Sequence, residues 1–281
     1  MLVKNSNIGL CKAGLTETQG GTIPVIKVEE AVTIILDNIR SLEFENVSIL
    51  ESLDRVLAED IFSDEYIPPF DNSAMDGYAI IARDTKDASA SQPVVLEVIE
   101  ELPAGYFASA EVTNGRAIKI MTGAPMPNGA DAVVMVEDTK SEDSSVLIFK
   151  ELSEGINIRR AGEDVKKGDK VIEKGTLIRP AEVGMLAALG KAKVTVVRRP
   201  KVAIVATGDE LVDINETLSR GKIRNSNTYS LYAQILKLNY VSIDMGIARD
   251  VSEEIRDRIQ DGLQSADMVL ISGGVSVGEY D

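Results

Sequence analysis

Between residues 28 and 40, apolar side chains recur at helical spacing. Val28, Ala31, Val32, Ile35, Leu36 and Ile39 occupy positions i, i+3, i+4, i+7, i+8 and i+11, one apolar stripe on an otherwise polar segment. A short helix is expected over 51–58, just before the loop YIPPFDNSAMDGYA. In that loop Pro68 and Pro69 stop regular structure and Asp76-Gly77 signals a turn. From 78 to 150 the pattern shortens to β segments, VVLEVIE, AIKIM, DAVVMVED and SVLIFK, separated by Gly- and Pro-containing turns such as TGAPMPNGAD. This predicts a small, inserted all-β domain. The stretch 155–197 holds the turn-rich RRAGEDVKKGDKVIEKGT, a helix over 181–189 and the strand KVTVV. It is expected to pack with the segment around 43–67.

After Arg199-Pro200 the periodicity changes again. VAIVA (202–206) reads as a buried strand ending in Thr207-Gly208. A helix over 227–238 follows, with Leu231, Ile235 and Leu238 on one side, then a strand over 241–247. A helix over 252–264 carries Ile255, Ile259 and Leu263, and a strand over 268–271 completes the series. The β-α-β-α-β order predicts a parallel, doubly wound sheet, which binds ligands at the carboxyl ends of its strands. Both buried strands run into glycine-containing polar loops, TGDEL and SGGVSVGE. The expected layout is therefore multidomain α/β plus β. A flexible lead-in (1–25) precedes a helix packing on the doubly wound domain (26–42) and a mixed α+β domain (43–70 and 156–198). The inserted β domain spans 71–155, and the doubly wound domain (199–281) is partial. SGGVSVGE would normally open another helix, so the chain reads as a piece of a longer protein.

Composition narrows the chemistry. Of 281 residues, 44% are hydrophobic and 27% charged, a globular balance with room for two or three cores. No apolar run approaches the roughly 18 residues a membrane span needs, and the N-terminal stretch lacks the apolar core of a signal peptide. The single cysteine, Cys11, excludes an intrachain disulfide and fits a reducing cytoplasm. A net charge of −15 disfavours nucleic acid as a partner. The chain contains no histidine, which removes His-based acid–base catalysis and nearly all zinc chemistry. Carboxylates, Lys/Arg, hydroxyls and backbone amides remain, with a hard, oxygen-loving ion such as Mg²⁺ as the natural metal.

Single residues are ambiguous at this level. Gly273, Gly274 and Gly278 let several N–H groups converge on an anion, yet the same loop also reads as a plain strand-to-helix turn. Asp209 fits a helix cap, and Asp250, three residues before Glu253, fits a capping box. Asp76, Asp164 and Thr122-Gly123 all sit in turn-like contexts.

In combination these segments say more. PPFDNSAMDGYA, IMTGAPMPNGADAVVMVEDT, RRAGEDVKKGD, ATGDEL, IRNSNTY, IARD and SGGVSVGEYD resemble, in the same order and at similar spacings, the molybdopterin molybdenumtransferase family (MoeA and the gephyrin E domain). The likeness covers about residues 25–281. It implies a molybdopterin-binding doubly wound domain of the kind also found in molybdopterin adenylyltransferases. It also implies an enzyme that inserts molybdenum from molybdate into adenylylated molybdopterin, releasing AMP with Mg²⁺ assisting. Carried over by motif, the catalytic set is Asp76, Thr122, Asp164, Glu210, Asp250 and Asp281, with Glu210, Asp250 and Asp281 as metal ligands. The phosphate cradle falls on Thr207, Gly208, Ser272, Gly273, Gly274, Ser276 and Gly278. The resemblance further implies an elongated homodimer in which Asp76, Thr122 and Asp164 face the doubly wound domain of the other subunit, and a functional link to the adenylyltransferase. Family members run on for more than a hundred further residues, so the chain is expected to be C-terminally truncated. Two rivals have other consequences: a gephyrin-like receptor scaffold would not need the acidic set, and an adenylyltransferase would lack DNSAMDGYA and the inserted domain.

Overall fold

The apolar stripe at 28–39 forms a helix, α1 (Val28–Asn38), but no residue of α1 is buried. Val28 is 74% and Leu36 62% exposed. The packing on the doubly wound domain expected for 26–42 is thus not made by the described residues. The structure, a computed structural model, describes residues 26–273 and the backbone of Leu2–Val3. The dipeptide Leu2–Val3 pairs antiparallel with Met268–Val269, at one end of the range expected to be a flexible lead-in. The rest of that lead-in, Cys11 included, lies outside the described residues.

Two compact units emerge. One comprises the described parts of Met1–Glu59, Gly175–Ala187 and Lys191–Asp281; the other comprises Asp60–Lys174 and Ala188–Gly190. The divisions fall at 59/60 and 174/175. The reason is local pairing. Ile61–Phe62 ladders with Lys170–Ile172, Ile67 N–H donates to the Val165 carbonyl at 2.8 Å, and Gly162 N–H donates to the Pro68 carbonyl at 2.9 Å. These bonds fasten both flanks of the β segment to each other.

In the first unit, Phe44–Ser48 and Lys193–Val197 form an antiparallel ribbon. The helix expected over 51–58 does not form. A 3-10 turn, Ile49–Glu51, is followed by Asp54 at φ +59°. Leu57 and Ala58 then donate to the carbonyls of Thr176 and Thr195, both at 2.9 Å. Burial of Leu57, 1% exposed, and these long-range bonds override a weak local propensity. Helix α2 (Pro180–Ala188) starts on proline, whose missing N–H costs nothing there. Glu182 accepts from the backbone N–H and guanidinium of Arg179, which hold its carboxyl down to about 2.

The parallel sheet of this unit is doubly wound. Lys201–Thr207 is central, with Val241–Ala248 on one side and Met268–Ser272 on the other. Alternation along the central strand serves two cores. Val202 and Ile204 pack with Leu231 and Ile235 of α3 (Ser226–Lys237), while Ala203 and Val205 pack with Ile255 and Leu263 of α4 (Ser252–Ser265). Helices therefore cover both faces, which is why VAIVA is a continuous apolar run. At the amino end of the sheet Arg198 grips Asp267 through two bonds of 2.7 and 2.6 Å and also pairs with Glu43 at 2.6 Å. The Arg198 guanidinium holds the Asp267 carboxyl below the usual carboxylate range.

The second unit is built on a six-stranded sheet. Its order is Ala132–Met135, Gly77–Ile80, Arg116–Ile120, Val94–Leu102, Ser145–Ile148, Thr139–Glu142. Both faces are buried: Tyr78, Ile80 and Val134 face one core, Ala79, Ile118 and Val133 the other. At Gly77 the neighbouring strand comes so close that a Cβ would lie 1.9 Å from the Val134 carbonyl oxygen.

Candidate functional site

The three parallel strands end together in polar loops, at Thr207-Gly208, at Arg249-Asp250 and at Ser272-Gly273. In such a sheet the binding crevice lies where the strand order reverses, here between Lys201–Thr207 and Met268–Ser272. At that point Gly273 has φ +121°, and a Cβ on it would lie 2.4 Å from Thr207 Oγ1 and 2.5 Å from the Thr207 carbonyl oxygen. Only glycine fits so close an approach. Ser272 Oγ accepts from Asn227 Nδ2 at 3.0 Å. Asn227 stands in the first turn of α3, anchored by its buried N-cap Asn225, which accepts from Thr228 N–H at 3.2 Å. Gly274, Ser276, Gly278 and Asp281 lie outside the described residues.

The acidic loops interlock. Gly208 N–H donates to the Ala248 carbonyl at 3.2 Å, and a Cβ on Gly208 would lie 2.5 Å from Glu210 Oε2, so the Glu210 carboxylate folds back over this glycine. Asp209 N–H donates to Asp250 Oδ2 at 3.1 Å, and Asp250 N–H returns a bond to Asp209 Oδ1 at 3.3 Å. Neither aspartate serves as the helix cap its local sequence suggests. The N-cap of α4 is Val251, without a side-chain bond, and Asp250 is engaged across the sheet instead. Lys222 Nζ donates to the Asp209 carbonyl, bringing a cation to the same loop. All these carboxylates are exposed and retain free oxygen lone pairs. Among the described residues no three His, Cys, Asp or Glu converge as a cation cage. The third member of the expected trio, Asp281, lies outside them.

Asp76, Thr122 and Asp164 belong to the second unit. Sheet register creates the first pair. Gly77 stands opposite Ile120, so Asp76, just before one strand, meets Thr122, just after the other. Asp76 Oδ1 accepts from both the N–H and the hydroxyl of Thr122, each at 2.7 Å. The Thr122 backbone and hydroxyl bonds hold the Asp76 carboxyl below its ordinary range. Asp164 lines a cavity of about 370 Å³ with Pro68, Asn72, Arg159 and Glu163; Asp76 and Thr122 are not in its wall. Nearby, Asp71 accepts from Ala161 N–H at 2.8 Å and from Arg160 Nη1 at 2.7 Å, and these bonds lower its pKa.

Three residues that individual motif reading passed over stand out. Arg159 faces the Asp164 cavity with no ion-pair partner among the described residues, Lys222 meets the acidic loop, and Asn227 fixes Ser272. The signal for two of them was present as RRAGED and IRNSNTY. For Lys222 there was none, because its place depends on the loop closing back on Asp209.

Comparison with known proteins bears on this arrangement. The family profile of the MoeA N-terminal region (domain I and II) matches residues 26–190, and that of a probable molybdopterin binding domain matches residues 203–281. The molybdopterin molybdenumtransferase of Bacillus subtilis (strain 168) is 40% identical over 260 residues, which are 91% of this chain and 60% of that protein. The enzyme of the same name from Staphylococcus aureus (strain Mu50) is 40% identical over 259 residues, 91% of this chain and 61% of its own length. Among solved structures, the molybdopterin biosynthesis moeA protein from Pyrococcus horikoshii OT3 superposes with a TM-score of 0.81 at 43% identity. That match covers 88% of this chain and 66% of the other. The chain thus spans about 60% of the length of the curated relatives it matches.

Proposed function

The chain belongs to the MoeA family, and from that premise we propose that it takes part in molybdenum cofactor biosynthesis as the molybdenum-inserting enzyme. Its substrates are molybdate and adenylylated molybdopterin, and AMP is released. The observation that carries this reading is the meeting of Thr207, Ser272 and Gly273 at the reversal point of the doubly wound sheet, directly beside the Glu210 and Asp209–Asp250 loops. A dinucleotide-sized anion needs glycine-lined backbone on one side and a metal-grade set of oxygens on the other. Both stand at one sheet edge.

The donor set fits Mg²⁺, being oxygen throughout in a chain without histidine. Glu210 and Asp250 would hold the ion, with Asp281 as a third donor, and it supplies neutralisation of charge on the phosphate oxygens. The chain's own groups do the rest. Thr207 and the loop from Ser272 through Gly274 and Ser276 to Gly278 orient the phosphate, and Asn227 holds Ser272 in place. Asp76, kept ionised by Thr122, accepts hydrogen bonds from the substrate, and Asp164 with Arg159 contacts its far side. In this reading Asp76, Thr122 and Asp164 act on the doubly wound domain of a second copy.

Among the described residues nothing buries the stripe of α1, which supports a homodimer, because an 11-residue amphipathic helix is marginal without a partner for its apolar face. A Leu36→Glu variant is expected to sediment as a monomer at concentrations where the unaltered protein is dimeric; identical sedimentation of the two would remove α1 from the interface. Adenylylated molybdopterin is the product of an adenylyltransferase, so that enzyme is the expected supplier. The single cysteine fits a cytoplasmic setting for this exchange.

Calorimetry tests the function. Adenylylated molybdopterin with Mg²⁺ is expected to bind the protein extended to the length of its relatives, and to bind this chain more weakly. Absence of binding by the extended protein would overturn the transferase reading.

A further inference from the structure

A second cavity, of about 510 Å³, opens at the opposite end of the parallel sheet. Lys201 and Val241, the first residues of two adjacent parallel strands, stand paired in its wall, so it lies at the amino edge, away from Thr207 and Asp250. Four cations, Arg55, Arg198, Arg199 and Lys201, share this wall with two carboxylates, Glu45 and Glu51.

The cations are not equally committed. Arg198 is bound by Asp267 and Glu43. Arg55 is 6% exposed, and its Nη2 alone serves Glu45 and, at 2.9 Å, the Val197 carbonyl. A guanidinium carries five N–H donors. The Nε and Nη1 donors of Arg55 have no protein partner among the described residues. Arg199 and Lys201 form no ion pair there either. The spare Arg55 donors lie in the cavity wall beside the side chains of Arg199 and Lys201, so three cationic side chains offer N–H donors to the same space.

We propose that this cavity is an anion-binding site that takes the phosphate group of a small molecule, held by Arg55, Arg199 and Lys201. A planar guanidinium offers two parallel N–H bonds to phosphate oxygens, and the two flanking cations neutralise its charge. Occupancy there would tie the ribbon of Phe44–Ser48 and Lys193–Val197 to the first residues of the doubly wound sheet. That makes it a regulatory position rather than a second catalytic one.

The test is calorimetric titration of the whole chain with inorganic phosphate and, separately, with AMP, at constant ionic strength set with chloride. Saturable binding is expected, weakened at least tenfold in the R199Q/K201Q double variant with an unchanged circular dichroism spectrum. AMP binding much tighter than phosphate would identify a nucleotide monoester as the source of the phosphate, and equal binding would identify the free ion; both require the same weakening in the variant. Should the double variant fail to fold, R199Q alone, at an exposed position, is expected to weaken binding at least threefold. No saturable binding at millimolar phosphate, or unaltered affinity in the folded variants, would overturn the proposal.

Discussion

Replacement of Gly77 by alanine is expected to destabilise the six-stranded unit by about 3–5 kcal/mol, the sum of an overpacked core position and weakened ladder bonds. The added methyl would lie 1.9 Å from the Val134 carbonyl oxygen, 2.9 Å from its carbon and 3.2 Å from Met135 Cα, all backbone atoms that no rotamer change can move. Relief requires the strands Gly77–Ile80 and Ala132–Met135 to separate, yet both lie between buried layers. Against a total stability of roughly 5–15 kcal/mol for a domain, that loss is severe. Gly184→Ala is the matching control: Gly184 lies within α2 with open space around its Cβ direction, and alanine there should stabilise by up to about 1 kcal/mol. Thermal unfolding followed by circular dichroism reads both. A Gly77→Ala midpoint within about 2 °C of the unaltered protein would show that the strands part at little cost.

Activity is expected to fall by about 100-fold or more when Glu210 or Asp164 is changed to alanine in the protein extended to the length of its relatives, the scale seen when a preorganised charge-stabilising group is lost. Melting temperatures should hold, because both side chains are exposed and neither anchors a core. Gly208→Ala provides an independent route to the same defect. Its methyl would occupy a point 2.5 Å from Glu210 Oε2 and expel the carboxylate from its place over the strand end. Molybdate-dependent AMP release from adenylylated molybdopterin is the readout. Unaltered turnover in Glu210→Ala or Asp164→Ala would remove that residue from the site.

Periodicity located most elements of the doubly wound sheet to within a residue or two, because its central strand is an unbroken apolar run and each helix carries a clear stripe. It failed over 51–58, where Leu53, Val56 and Leu57 are spaced like a helix but belong to a turn stitched to Thr176 and Thr195, distant partners that no local window contains. It also could not tell that no described residue buries the α1 stripe, since a stripe reports that a face needs burial and not what buries it. Motif resemblance nominated the candidate site residue by residue. The pairings that give those residues their geometry were not legible. Asp76 meets Thr122 through sheet register, and Asp209 meets Asp250 across 41 positions of sequence. Local reading assigned the last two to helix caps, which is what short acidic side chains beside a helix most often do.

The strand pair that closes the second unit has a mechanical corollary. The main segment of this unit runs from Asp60 to Lys174, and Ile61–Phe62 runs antiparallel to Lys170–Ile172 immediately inside those points. Both points therefore lie at the same end of one short ladder. A pulling force delivered through them loads its bonds one after another, as a zipper, rather than all at once in shear. Inside that clasp the six-stranded sheet is shielded until the pair has opened. The clasp is thus expected to act as a mechanical fuse, yielding before the sheet behind it carries load.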